Sequence, residues 1–360
     1  MIRYWVNRVQ CQWNSTYRFY STSTLGGKND YPSYQIHKPV MYREVLQRLK
    51  VQPGSIIVDC TFGLGGHTRN ILESCKSCYV IAIDRDPEVF DLTKDLRKQY
   101  SDRLITLPGQ FSQLGSLLRE NRLNNLKISG ILFDYGCSSY QIDSPHRGFS
   151  FKKELEGPLD MRMNSHSSSS LTAFQVINSF SESELRDIFY FLGEEKHTKM
   201  VTREILRIRQ IAPIQTTSEL VKIIESQIPY PAASKSISRI FRAIRMYVND
   251  EIQEIEKGLK EAELVLEPNG HLVTISFHSI EDRIVKKFLQ STCTPSKFMD
   301  IDEYPQYPHD EFKPSFEIDE FPQPLLPTTE EIEWNSRSAS AILRSAKRTS
   351  APPLGQYLKD

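Results

Sequence analysis

The chain has 360 residues, 39% apolar and 25% charged, with equal numbers of acidic and basic side chains and no formal net charge. No apolar run approaches a membrane span, and the six cysteines have no framework spacing; a membrane anchor and a disulfide-stapled scaffold are excluded in favour of one large or two modest globular domains. Residues 294–330 hold nine acidic and two basic side chains, which leaves the remainder mildly basic and permits RNA binding.

The first 29 residues contain Arg3, Arg8, Arg18 and Lys28, no acidic residue, and a Ser/Thr-rich end. This is the make-up of a mitochondrial presequence and predicts delivery to the matrix. Val45, Leu46 and Leu49 then recur at helical spacing and predict a short helix. Residues 56–69, IIVDCTFGLGGHTR, read as a buried strand ending in Asp59, a glycine turn with Gly63, Gly65 and Gly66, and a helix from about His67. Glycines let the backbone turn tightly and approach a ligand, while a helix start offers free N–H groups. Thr68 stands where a dinucleotide fingerprint requires glycine, so a hydride-transfer cofactor is disfavoured.

A second strand, 79–83, runs into Asp84, about twenty residues past the glycines, where a carboxylate can accept from both hydroxyls of a ribose. Between them Cys75 and Cys78 form a lone CxxC without the partners of a metal site, and no metal is predicted. A third strand at 104–107 precedes Phe111, placed to stack on an adenine or to fill the core. The fourth strand, 130–133, ends in Asp134 and enters a polar loop through Gln141. At the carboxyl edge of a parallel sheet both side chains can reach a cofactor or an accepting base.

From 144 to about 231 the strand rhythm stops and several helices follow, which predicts a helical insertion. Lys196, Lys199, Arg203 and Arg207 share one helix face; Lys235, Arg239, Arg242 and Arg245 share another, and such faces suit phosphate backbones. A long helix at 251–266, a turn at 268–270 and a fifth strand at 271–276 come next. His278 and Ser279 are then expected beside the strand ending at Asp134. Residues 294–329 read as an extended arm, and Arg337, Arg344, Lys347 and Arg348 as a basic tail able to touch nucleic acid.

Several blocks together resemble the RsmH or MraW type of S-adenosylmethionine-dependent methyltransferase, which acts on cytosine N4 of small-subunit ribosomal RNA. They are HKPVMYREVL, DCTFGLGGHTR, IAIDRDP, DYGCSSYQID, RGFSF, GPLDMRM, GEE at 193–195, VNDEI and ISFHSIEDRIVKKF, spanning about residues 36–290. With the presequence, the chain is similar to a mitochondrial member. The resemblance implies an α/β, Rossmann-like class I methyltransferase with an inserted helical domain, divided into a presequence (1–29), core (30–143), substrate-recognition insertion (144–234), core (235–293) and an acidic arm with a basic tail (294–360). It also implies cofactor contacts at Gly65, Gly66, His67, Asp84, Phe111, Asp134 and Gln141.

A cytosine amino nitrogen shares its lone pair with the ring and is a poor nucleophile, so the site has to align it and accept its hydrogen bonds. Asp134, Asp160 and His278 are the candidate acceptors. Small-subunit ribosomal RNA or a pre-ribosomal particle is the expected partner; assembly proteins and a homodimer stay open. The competing readings are a methyltransferase of another RNA or protein substrate, and an assembly factor that keeps the fold without turnover.

Overall fold

The computed structural model describes residues 39–167, 170–293, 313–318 and 324–353. The expected presequence and most of the acidic arm lie outside the described residues. The chain forms two units, one of residues 1–136 with 254–360, the other Cys137–Gln253.

The first unit is built on a seven-stranded sheet: β1 (Ile56–Asp59), β2 (Tyr79–Asp84), β3 (Leu104–Pro108), β4 (Ile128–Asp134), β5 (Leu266–Ser276), β6 (Phe316–Ile318) and β7 (Ile342–Arg348), in the order 3-2-1-4-5-7-6. β1 to β5 are parallel, and β7 runs antiparallel between β5 and β6. All four residues of β1 are buried, as a strand covered by helices on both faces demands. Its side chains alternate between two cores: Ile56 and Val58 pack with Ile81, Ile131 and Phe133, while Ile57 packs with Val80, Leu132 and Val273. This is the expected Rossmann-like α/β arrangement. The chain winds outward through β2 and β3, then returns to place β4 on the other side of β1, so a crevice opens at the carboxyl ends of β1 and β4.

Two expectations are corrected here. The predicted turn at 268–270 lies within β5, where a register shift opposite Ile128 and Gly130 absorbs the extra residues. Of the predicted basic tail, Arg344, Lys347 and Arg348 lie in β7, while Arg337 lies in the short helical turn Ser336–Ser340 before it. Arg344 holds Asp282 with two hydrogen bonds of 2.7 and 2.9 Å, and Lys347 pairs with Glu317 at 2.9 Å. Arg348 is buried, donates to the carbonyls of Glu263, Ser315, Thr349 and Ala351, and lies over the Phe316 ring. These cations hold the sheet edge together.

The second unit is helical, with its own core around Val176, Phe189, Val201, Leu220, Ile240 and Ile244. Thr172, Ser181 and Thr216 start three of its helices with reciprocal caps to Gln175, Glu184 and Glu219. It begins and ends outside the expected limits of 144 and 234. The helix Ala232–Val248 buries Ile237, Ile240, Phe241 and Ile244 in this core, so a boundary at 234 would cut through it. Among the described residues no helix is long and apolar enough to cross a membrane.

Candidate active site

The site is assembled from the loops that leave β1, β2 and β4. Asp59, at the end of β1, is fully buried; one oxygen accepts from the Thr68 hydroxyl at 2.7 Å and the other from the Thr61 amide at 3.2 Å. Burial pushes its carboxyl up, and His67 and the Thr68 hydrogen bond oppose this. Thr61 in turn accepts from the Asp134 amide at 2.8 Å, which ties the loop to the end of β4. Asp59, Thr61 and Thr68 are not among the site residues expected from the sequence; the acid directly before a glycine turn was the available signal.

Gly65 caps the helix Gly66–Ser74 at φ +77°, and a Cβ there would stand 2.3 Å from Leu96 Cδ2. No side chain caps this helix start, so its first N–H groups are left for a ligand. Asp84, at the end of β2, accepts from the Gly63 amide at 2.7 Å on one oxygen and from the Asp86 amide at 2.8 Å on the other. A carboxylate has about four acceptor sites, so capacity for two ribose hydroxyls remains. Burial raises its pKa to about 7, although both amides favour the ionised form.

His67 and Asp134 face each other, Nε2 to Oδ2, at 3.5 Å. His67 Nε2 and Asp134 Oδ1 are buried and have no hydrogen-bond partner. Two such groups at the carboxyl edge of a sheet fit a polar ligand that would complete them. Phe111 sets its edge against Phe133 at a centroid distance of 5.3 Å and rests on Gly258, where a Cβ would meet the ring at 2.5 Å. Its half-buried ring is thus a core residue on that side.

The remaining candidates are already engaged. His278 caps the helix Ser279–Thr292: its Nδ1 accepts from the Glu281 amide at 3.5 Å, and Nε2 stands 2.9 Å from Glu281 Oε1, out of line for a hydrogen bond. This is a structural role. In the helical unit, Asp160 is clamped by Arg162 through bonds of 2.9 and 2.7 Å. Its charge is balanced by that guanidinium. Gln141, also in that unit, accepts from the Ser138 backbone N–H at 3.0 Å through its side-chain oxygen, while its own backbone N–H donates to the Ser138 hydroxyl.

The basic faces are largely spent as well. Arg242 donates to the Gly193 carbonyl, Arg245 pairs with Glu251 at 2.8 Å, Arg207 with Glu204 at 2.7 Å, and Arg203 lies 3.6 Å from Glu182. Arg239 stands 3.8 Å from the buried Glu195. Among the described residues no group of three His, Cys, Asp or Glu side chains could hold a metal ion.

Residues 34–349 match the profile of the MraW methylase family. The chain is 41% identical over 327 residues to the ribosomal RNA small subunit methyltransferase H of Rhodospirillum centenum, covering 91% of this chain and 95% of that protein. To the protein of the same name from Brucella canis it is 39% identical over 339 residues, 92% of this chain and 94% of the other. A solved rRNA methylase of Streptococcus thermophilus aligns with 87% of this chain and 99% of its own, at a TM-score of 0.35 and 11% identity. Asp84, the bare start of the helix Gly66–Ser74 and the facing His67 and Asp134 suit S-adenosylmethionine, the cofactor of such a methylase, and with a match from residue 34 to residue 349 the chain belongs to the MraW methylase family.

Proposed function

We propose that this chain methylates the N4 amino group of a cytosine in small-subunit ribosomal RNA of the mitochondrion. The observation that carries the reading is Asp134, whose Oδ1 is buried and without a hydrogen-bond partner at the carboxyl end of β4. When bound, S-adenosylmethionine supplies a methyl group already activated by its positive sulfur. Asp84 holds the ribose, and the amides at the start of the helix Gly66–Ser74 receive the polar part of the donor. Asp134 accepts a hydrogen bond from the cytosine amino group, draws its lone pair out of conjugation and takes the proton that this nitrogen loses on gaining the methyl group, the electron pair of the broken S–C bond staying on the sulfur of the departing thioether. His67 keeps the Asp134 carboxylate oriented. Positioning supplies most of the rate, and no metal is called for. Reaching the amino group requires an unstacked base, so the substrate is a single-stranded or locally opened RNA. The names of the bacterial relatives support the ribosomal substrate, and the composition of residues 1–29 supports the mitochondrial setting.

The test is to incubate the purified chain with radiolabelled S-adenosylmethionine and mitochondrial small-subunit RNA or its precursor particle, then digest and identify the labelled nucleoside. N4-methylcytidine, absent with Asp84→Ala, is the expected product. Another methylated nucleoside would replace the target. No label on an unmodified particle, with cofactor binding intact, would favour an assembly factor without turnover.

A further inference from the structure

Within the helical unit, the helix Glu182–Asp187 passes without a break into the π-helical turn Ile188–Leu192. Wide turns of this kind displace side chains from the regular helical stripe and recur at functional sites. Here Ile188 and Phe189 point into the core, whereas Tyr190 and Phe191 are 58% and 66% exposed and meet edge to face at a centroid distance of 5.1 Å. Two adjacent aromatic rings in water cost hydration free energy that burial would recover.

The return helix Thr198–Arg209 packs against this segment, and Arg203 lies 3.6 Å from Glu182, which fixes the register of the hairpin. One turn back from Arg203 stands Lys199, and just before the helix start stands Lys196; on the facing helix Arg186 comes one turn after Glu182 and Tyr190 two turns after it. Arg186, Lys196 and Lys199 are exposed, and among the described residues none has a carboxylate within ion-pair distance. They differ in this from Arg203, Arg207 and Arg245, which acidic side chains neutralise. Of the exposed carboxylates of the stretch, Glu184 falls on the opposite side of its helix from Arg186 and accepts from the Ser181 amide and hydroxyl, which leaves Asp187 and Glu194 beside the three cations.

We infer that the strip of Arg186, Lys196 and Lys199 with Tyr190 and Phe191 at its end is a contact surface for single-stranded RNA, the cations following the phosphates and the two rings stacking on unpaired bases. This rests on the RNA reading above and assigns it a place. Rings beside uncompensated cations are the combination that holds single strands without reading their sequence, because every base has a face to stack and every nucleotide a phosphate. A protein partner would be drawn to the rings but would gain nothing from unbalanced cations unless it were acidic.

The experiment measures binding of a fluorescein-labelled, mixed-sequence single-stranded 12-nucleotide RNA to the full chain by anisotropy at several salt concentrations. Three variants are compared: Tyr190→Ala with Phe191→Ala, Lys196→Glu with Lys199→Glu, and Phe191→Trp. Cofactor affinity and unfolding midpoint serve as checks of the fold. The aromatic pair should weaken RNA binding about tenfold or more. Charge reversal should weaken it comparably and flatten its salt dependence. Phe191→Trp should keep the affinity and show fluorescence quenching on RNA addition, a readout that a folding defect cannot imitate. Wild-type binding that neither double variant alters overturns this surface and leaves the RNA reading standing. Absence of binding by the wild type overturns both. A dimer that the aromatic variant dissociates, with RNA affinity unchanged, assigns the rings to a second copy of the chain instead.

Discussion

Asp84 and Asp134 close the two sides of one crevice, but their surroundings give them different work. Asp84 holds two backbone amides and retains acceptor capacity, with its carboxyl raised to about 7. Because that value exceeds the roughly 3.9 of an unfolded aspartate, its protonation favours the folded state: the contribution is complete below about pH 4 and lost as pH rises through 7. Cofactor binding runs the other way, since the ionised carboxylate is the better acceptor for ribose hydroxyls. The dissociation constant for S-adenosylmethionine, measured by calorimetry, should fall about tenfold between pH 6 and pH 8. Asp84→Asn should bind more weakly and with a flat profile.

Asp134 holds no amide with its side chain, and one of its oxygens has no partner. Asp134→Asn should lower single-turnover methylation about a hundredfold or more, within the range for loss of a proton acceptor, and leave cofactor affinity within a few-fold. An equal loss of both would place Asp134 in donor binding. His278→Gln, by contrast, should affect stability more than the rate, since the imidazole caps a helix.

At the level of elements, β7 shows how charge in a sequence misleads. Arg348 is 5% exposed and satisfies four carbonyls. Arg348→Ala should cost roughly 3 kcal/mol, the cost of leaving buried acceptors unpaired, seen as a lower denaturation midpoint with RNA affinity unchanged. A loss of RNA affinity without loss of stability would restore the nucleic-acid role that its basic composition suggested. The reason for the misreading is separation along the chain: the partners of Arg344 and Arg348 lie 62 and up to 85 residues away, beyond the reach of any periodicity. The same holds for Arg242, whose acceptor is the Gly193 carbonyl. What was legible was local. The glycine turn, the acids ending β2 and β4 and the apolar strands declare themselves within a few residues, because backbone conformation and burial pattern are set there. Asp160 and His278 are engaged by neighbours only two and three residues away, Arg162 and Glu281, but residue spacing alone does not say which way a side chain turns.

For the whole molecule, the sheet unit is written in two stretches of sequence with the helical unit between them. The crevice residues His67, Asp84 and Asp134 all come from the first stretch, yet β4 completes its pairing only through β5 from the second. Hydrogen exchange should therefore report cofactor binding as added protection in peptides covering 60–72 and 84–86. A change confined to the second stretch would place the donor elsewhere.

The pairing of Ile131 with Leu272 also sets a clock. A ribosome adding 5–20 residues per second needs about 7 to 28 s to travel from one to the other, and in that interval β4 is a finished strand with an open edge. Such an edge is the part of a sheet most apt to pair with a foreign strand. The helical unit is therefore an insertion in time as well as in sequence, and the chain's exposure to misassembly is greatest during its synthesis, before β5 and then β7 arrive to cover the edge.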